Sequence, residues 1–346
     1  MKPWEANIRK VVPYVPGDQP RGSHLVKLNT NENPYPPAPG VSAALKEMDY
    51  DLFRKYPDPA SSVLVDALSE YYKVDRDEIF VGVGSDDVIA MAFMTFFNSD
   101  KPVLFPDISY SFYPVWAELF GVPYEKPALD ENFKIVKEEY YRENGGIIFP
   151  NPNAPTGLYM PLSEVEDIVS HNQDSVVIVD EAYIDFGGTS ALKLTRKYEN
   201  LLVVQTFSKS RAMAGMRIGY AMGNEKLIRY LNSYNSYTMN MPSQILGAKA
   251  VEDRAYFQDT VEKIIRTREQ AKLRLHELGF TFPESMANFI FASHETARAK
   301  DIYEALRQNS IFVRYFNKPR IDNYLRITIG TDEEMDALYR FLKEYL

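Results

Sequence analysis

The run Thr206-Phe207-Ser208-Lys209-Ser210 follows a largely apolar stretch, Leu201 to Gln205, and places Lys209 eight residues before Arg217 in Gly215-Met216-Arg217-Ile218-Gly219. A lysine amine can bond covalently to an aldehyde, while small hydroxyls and a fixed guanidinium can hold a phosphate. Together they are the parts of a site for a phosphorylated aldehyde. A lysine among serines is commonly a solvated surface residue, so the run takes its meaning from the rest of the chain.

A second apolar run, Val176-Val177-Ile178-Val179, ends in Asp180-Glu181-Ala182-Tyr183. It delivers a carboxylate to a strand's C-terminal edge, where open α/β sheets keep their sites. Asp180 can there hold the proton on a pyridinium nitrogen, and a protonated ring is an electron sink for a carbanion. With Lys209 and Arg217, this set points to pyridoxal 5'-phosphate. Without them, Asp180 would read as a helix N-cap after a strand.

Three further pieces fit that chemistry. Gly82-Val83-Gly84-Ser85-Asp86-Asp87 lies between a strand and a helix. It reads as a phosphate cradle of backbone N–H groups, or equally as a turn capped by Ser85 or Asp86. Asn151 to Gly157 is dense in residues that fix backbone shape and offer short amides, as an ordinary Pro/Asn loop also is. Tyr110 and Tyr113 follow the run Val103 to Phe105, where an aromatic can stack on a flat ring or pack into the core.

The elements that must position these residues are legible as period. Strand-like runs at Ile79 to Val83, Val103 to Phe105, Ile147 to Phe149, Val176 to Val179, Leu201 to Val204 and Ile218 to Met222 alternate with helical stretches at Ser85 to Phe97, Tyr113 to Phe120 and Leu162 to His171. Ser85 and Ser163 are the expected N-caps. The pattern predicts an α/β fold with a mostly parallel sheet between helices. Beyond Met222, a charged helical stretch from about Asp253 to Leu278 ends at Gly279 and leads to shorter strands and a final helix opened by the capping box Thr331-Asp332-Glu333-Glu334. We expect a large domain over 41–245 and a smaller α+β domain over 246–346, completed by an N-terminal arm, residues 1–40.

At 346 residues and 45% hydrophobic content the chain can bury a sizeable core. A net charge of -9 argues against nucleic acid or an anionic membrane as partner. Zero cysteines exclude disulfides and thiolate metal sites, and His24, His171, His276 and His294 show no ligand spacing, so no metal is expected. The start of the sequence leads into no apolar targeting segment, and the longest nearly apolar stretch, Val88 to Phe97, is too short to span a bilayer. A cytoplasmic protein is the expectation.

These pieces, with Tyr324-Leu325-Arg326-Ile327-Thr328-Ile329-Gly330-Thr331, resemble in order and spacing a fold-type I pyridoxal phosphate aminotransferase. Pro13-Tyr14, the segment Asn29 to Pro36 and Arg54-Lys55-Tyr56-Pro57-Asp58 make the likeness greatest to the histidinol-phosphate aminotransferases, over nearly the whole chain. The resemblance implies a seven-stranded-type sheet and Lys209 as the covalent lysine and proton shuttle. It places Asp180 on the pyridine nitrogen, Tyr183 at the ring's phenolic oxygen and Tyr110 stacked on the ring. Gly84, Ser85, Asp86, Thr206, Ser208 and Arg217 would hold the phosphate, joined by Tyr56 from the other subunit of a homodimer. Arg326, Arg314, Asn31 and Tyr14 would meet the substrate, with 2-oxoglutarate as the amino acceptor.

One position departs from the family pattern. Where an asparagine usually precedes Pro-Thr-Gly and donates to the phenolic oxygen, this chain has Ala154. Asn153 could substitute from next door, or Tyr183 could hold the oxygen alone. An arginine fork accepts carboxylate and phosphate alike, so the sequence leaves open histidinol phosphate, an aromatic amino acid, or decarboxylation of threonine phosphate. A regulatory protein without activity would be expected to have lost part of the set Lys209, Asp180, Arg217 and Arg326, all of which are present.

Overall fold

The computed structural model describes residues 2–346 except 14–16, 21, 23–24 and 234–236. In chain order, the arm contributes β1 (Val26–Lys27), followed by α1 (Pro39–Lys46) and α2 (Ser62–Tyr72). Then come β2 (Ile79–Gly82), α3 (Ser85–Phe96), β3 (Val103–Leu104), α4 (Tyr113–Phe120), β4 (Tyr124–Glu125), β5 (Gly146–Pro150) and α5 (Leu162–His171). They continue as β6 (Val177–Asp180), β7 (Leu201–Thr206), β8 (Gly219–Gly223), α6 (Glu225–Asn232) and α7 (Met241–Glu252). The C-terminal part holds α8 (Arg254–Glu277), β9 (Phe280–Thr281), β10 (Phe289–His294), α9 (Ala299–Gln308), β11 (Ile311–Phe312), β12 (Arg314–Tyr315), β13 (Leu325–Thr328) and α10 (Asp332–Tyr345).

Strands β2 to β8 form one seven-stranded sheet in the order β2-β8-β7-β6-β5-β3-β4. It is parallel except for β8, which runs antiparallel to both β2 and β7. Every residue of β5, β6 and β7 is buried, as continuous apolar runs covered on both faces should be. Alternation assigns the faces: Ile147, Phe149, Val177, Val179, Leu201 and Val203 join one core layer, and Ile148, Ile178, Leu202 and Val204 the other. The two-residue β4 was not legible as a strand, being too short to show a period.

A four-stranded antiparallel sheet, β12-β13-β10-β9, builds the core of the smaller body with α8, α9 and α10. The arm joins this body, because β1 pairs in parallel with β11. The expected boundary at 245/246 falls inside α7, whose Leu246, Ala250 and Val251 pack in the core of the larger body with residues of α1 and α2. The break between helices comes at Asp253, which ends α7 and whose side chain caps α8 by accepting from the Tyr256 N–H.

Of the three helix starts expected from the sequence, one is capped as expected. The capping box at Thr331 and Glu334 forms, with both reciprocal bonds. Ser85 and Ser163 are not caps: Gly84 occupies the cap position of α3 and Pro161 that of α5, leaving both serines inside their helices. At Gly84 the reason is steric, since its φ of +87° is open to glycine and costly for serine.

Candidate active site

The C-terminal ends of β6 and β7 and the turn from β2 into α3 converge on a cavity of about 180 Å³. Asp180, Thr206, Ser208, Lys209, Arg217, Ser85, Asp86, Tyr110 and Tyr183 all line it. Parallel strands bring these distant positions together because their C-terminal ends share one edge of the sheet.

The anion end is a chain of hydrogen bonds. Arg217 donates from Nη1 to Ser208 Oγ at 3.3 Å and from Nη2 to Asp86 Oδ2 at 3.3 Å. Thr206 Oγ1 donates to Ser208 Oγ at 2.9 Å and accepts from the Ser208 N–H at 3.1 Å. The Asp86 carboxylate is committed to Arg217 and to the Tyr110 hydroxyl, 2.6 Å away. What Asp86 can offer a phosphate is therefore its backbone N–H in the first turn of α3. The turn itself is fitted to this arginine: a Cβ on Gly84 would lie 2.5 Å from Arg217 Nη2, and one on Gly219 would lie 2.2 Å from the backbone of Gly84 and Ser85. Hydroxyls, a guanidinium and a helix N-terminus packed this closely are a donor set suited to a phosphate ester.

At the other end, Asp180 is buried, with the Tyr113 hydroxyl donating to its Oδ2 at 2.7 Å and the Ala182 N–H to its Oδ1 at 3.2 Å. Burial pushes its carboxyl up to about 6 despite these donors. A cation facing it would restore the charged form, and a protonated pyridine nitrogen is such a partner. The set of groups thus fits pyridoxal phosphate at both ends. Next to it, Glu181 points to the opposite side of the strand, where it accepts from Ser190 Oγ, Ala191 N–H and Gln205 Nε2.

The arm residues 29–33, of which only Asn31 is expected from the sequence at the substrate, form a hub. Lys209 Nζ donates to Thr30 O at 3.1 Å. Asn33 Nδ2 donates to the carbonyls of Lys209 and Ser210 at 3.1 and 3.0 Å. Arg326 Nη2 donates to Asn29 O at 3.0 Å. Asn31 is fully buried, and its amide donates to the Tyr183 hydroxyl at 2.9 Å. Thr30, Asn33 and Tyr113 were not singled out for these contacts; the amide-rich run Asn29 to Asn33 was the available signal, without any hint of what it would touch.

An adjoining cavity of about 150 Å³ opens beyond Lys209 and Tyr183, lined by Arg314, Arg326, Asn29 and Asn31. The two guanidiniums give it a positive wall. Arg326 lies over the rings of Phe289 and Phe316, at 5.4 and 5.6 Å from their centroids, and Arg314 lies 5.3 Å from that of Phe316. Contacts of a guanidinium with aromatic faces help to hold it in place.

Two expected residues lie elsewhere. Asn153 lines neither part of the site; its amide donates to Ile108 O and Thr156 Oγ1, both at 3.0 Å, and it faces a separate cavity behind the loop. The methyl of Ala154, not an amide, faces both parts of the site. Tyr56 is 84% exposed and its ring packs against Tyr237, outside the cavity formed by its own chain. Tyr14 falls outside the described residues.

Residues 23–342 match the model for aminotransferase class I and II. The chain belongs to this family. It is 53% identical to histidinol-phosphate aminotransferase 1 of Hydrogenovibrio crunogenus, over 99% of this chain and 98% of that one. The crystal structure of the histidinol-phosphate aminotransferase from Clostridium acetobutylicum superposes with a TM-score of 0.86 at 23% identity, covering 93% of this chain and 99% of that one. The enzyme from Sinorhizobium meliloti, solved in complex with pyridoxal-5'-phosphate, gives 0.85 at 21% identity, with 92% and 91% covered. This aminotransferase therefore has the fold-type I architecture expected from its sequence, and its family is one of pyridoxal phosphate enzymes. Among the described residues, no helix is long and apolar enough to cross a membrane, and no group of three or more His, Asp or Glu could hold a metal ion.

Proposed function

We propose that this aminotransferase binds pyridoxal 5'-phosphate and transfers the amino group of L-histidinol phosphate to 2-oxoglutarate, giving imidazole acetol phosphate and glutamate in histidine biosynthesis. The observation that carries the reading is the meeting of Lys209, Asp180 and Arg217 at one cavity that continues into a pocket walled by Arg314 and Arg326. Identity near 50% over nearly the full length to histidinol-phosphate aminotransferases supports the substrate over an aromatic amino acid or threonine phosphate.

Bound in the site, the cofactor would supply an electron sink for a carbanion at the substrate carbon. Lys209 Nζ would anchor the cofactor and would take the proton from that carbon, returning one during the reverse half-reaction. Asp180 keeps the proton on the ring nitrogen. Tyr183 would donate its hydroxyl to the phenolic oxygen, and Tyr110 would pack against the ring. Ser85, Thr206, Ser208 and Arg217 hold the phosphate, with Tyr56 arriving from the second subunit of a homodimer. Arg326 and Arg314 bind the substrate's anionic end, where two positive charges suit a phosphate dianion. A large domain carrying the sheet through α7, a small domain from α8 onward completed by the arm, and a cytoplasmic location belong to the same reading.

The test is the visible spectrum of the purified holoprotein before and after histidinol phosphate is added without a keto acid. Loss of the visible band, and its return on adding 2-oxoglutarate, supports the reading. A band unchanged by histidinol phosphate but bleached by phenylalanine or tyrosine would transfer the substrate assignment to aromatic amino acids.

A further inference from the structure

The departure at Ala154 removes an amide from the cofactor's phenolic oxygen, and neither of the two replacements expected from the sequence accounts for the geometry. Asn153 is turned away, held by Ile108 O and Thr156 Oγ1. Tyr183 does not act alone either, because the Asn31 amide lies 2.9 Å from its hydroxyl oxygen.

We infer that Asn31, on the N-terminal arm, is a positioning residue that supplies through Tyr183 the polar influence lost at Ala154. This rests on the cofactor assignment of the preceding section. The amide's orientation follows from its partners. Thr328 Oγ1 accepts from the Asn31 backbone N–H and donates to Asn31 Oδ1, both at 3.0 Å. With Oδ1 turned to the threonine, Nδ2 faces Tyr183 and donates to its hydroxyl oxygen. A phenol that accepts a hydrogen bond keeps its own proton for a group in the cavity and becomes a better donor through the polarised chain. The site is rigidly built. Asn31 is fully buried at a left-handed φ of +55°, and its carbonyl accepts from Asn288 Nδ2 at 3.0 Å. Tyr183 packs with Ala154 and Phe289 in one apolar cluster.

The consequence is electrostatic. A donor at the phenolic oxygen stabilises the oxygen's negative charge most when the nearby linkage nitrogen has lost its proton. Weakening that donor therefore raises the pH at which the linkage nitrogen, read through the visible band, titrates. Asn31→Gly keeps the left-handed backbone accessible while deleting the amide. In the holoprotein it should raise the midpoint of the visible-band titration by roughly half a unit to one unit, the worth of one hydrogen bond. Thr328→Val, which frees the amide to rotate, should shift the midpoint the same way by less. Tyr183→Phe should shift it at least as far, and Asn31→Gly added to Tyr183→Phe should add little, because the amide acts through that hydroxyl. Ala154→Asn in the Asn31→Gly background should return the midpoint toward the starting value.

A midpoint unmoved in both Asn31→Gly and Thr328→Val, with the band intact, overturns the inference. So does an Asn31→Gly shift that persists undiminished in Tyr183→Phe. A protein that never develops a visible band with pyridoxal phosphate refutes the cofactor assignment itself, which is a distinct failure.

Discussion

The Tyr113 hydroxyl donates to Asp180 Oδ2 across 2.7 Å, and both groups are buried beneath the sheet's C-terminal edge. Burial holds the phenol well above its ordinary range, so it stays protonated and is a permanent donor to the carboxylate. Tyr113→Phe keeps the ring packing with Phe105 and Tyr110 and removes only this bond. Asp180 would then hold the charged form less well and grip the ring nitrogen's proton less firmly. We expect kcat to fall about tenfold, with KM little changed. An unaltered kcat would limit Tyr113 to packing.

The raised carboxyl of Asp180 has a signature in the protein without cofactor. With a pKa of about 6 in the fold against 3.8 in the unfolded chain, the folded state binds the proton more tightly. This contribution is present below pH 3.8 and is lost as pH rises through 6, by about 3 kcal/mol at most. Asp180→Asn removes the titration. The apoprotein should therefore lose more thermal stability between pH 4.5 and 7.5 than its Asp180→Asn variant, a gap of several degrees by calorimetry. Saturation with cofactor should narrow the wild-type loss, because a cationic nitrogen keeps Asp180 ionised.

Two glycines, Gly84 in the turn from β2 into α3 and Gly219 at the start of β8, separate binding from folding. A Cβ on Gly84 meets the end of the Arg217 side chain at 2.5 Å and must sit at a φ of +87°. Gly84→Ala should displace that guanidinium and weaken cofactor affinity about tenfold or more, as loss of a charged hydrogen bond does. A Cβ on Gly219 meets backbone at 2.2 Å and has no flexible neighbour to push aside. Gly219→Ala should instead lower stability by about 1–3 kcal/mol, read as a drop in the denaturation midpoint even in the apoprotein.

Tyr56 reaches a site only if a second copy presents it. Tyr56→Ala should weaken cofactor binding by about tenfold, and Lys209→Ala should lower turnover by at least about a thousandfold. At limiting cofactor, mixing the two variants under conditions that exchange subunits should raise activity above the sum of the two alone, because a site with the Lys209 of one chain and the Tyr56 of the other is then complete. Sedimentation of a fully active monomer would contradict this.

Much of the site was legible because its parts sit at strand ends. The apolar runs of β6 and β7 pointed to Asp180 and Lys209, and a strand, two glycines and a helical period pointed to the cradle at Ser85. Period and punctuation are local properties, and they survive in one dimension. What a side chain meets across the fold is not local. Nothing in the composition of Asn29 to Asn33 says that Thr30 will accept from Lys209 or that Asn31 will reach Tyr183, 152 positions later. Likewise, Ser85 looked like a cap until the close approach of Gly84 to Arg217 reserved the cap position for a residue without a Cβ. The sequence by itself determined most of the order of elements, the family and many of the residues that meet in the cavity. Tertiary structure decided which amide would serve the site in place of the one absent at Ala154, because hydrogen-bond partners are chosen by distance and direction after the sheets have closed around the arm.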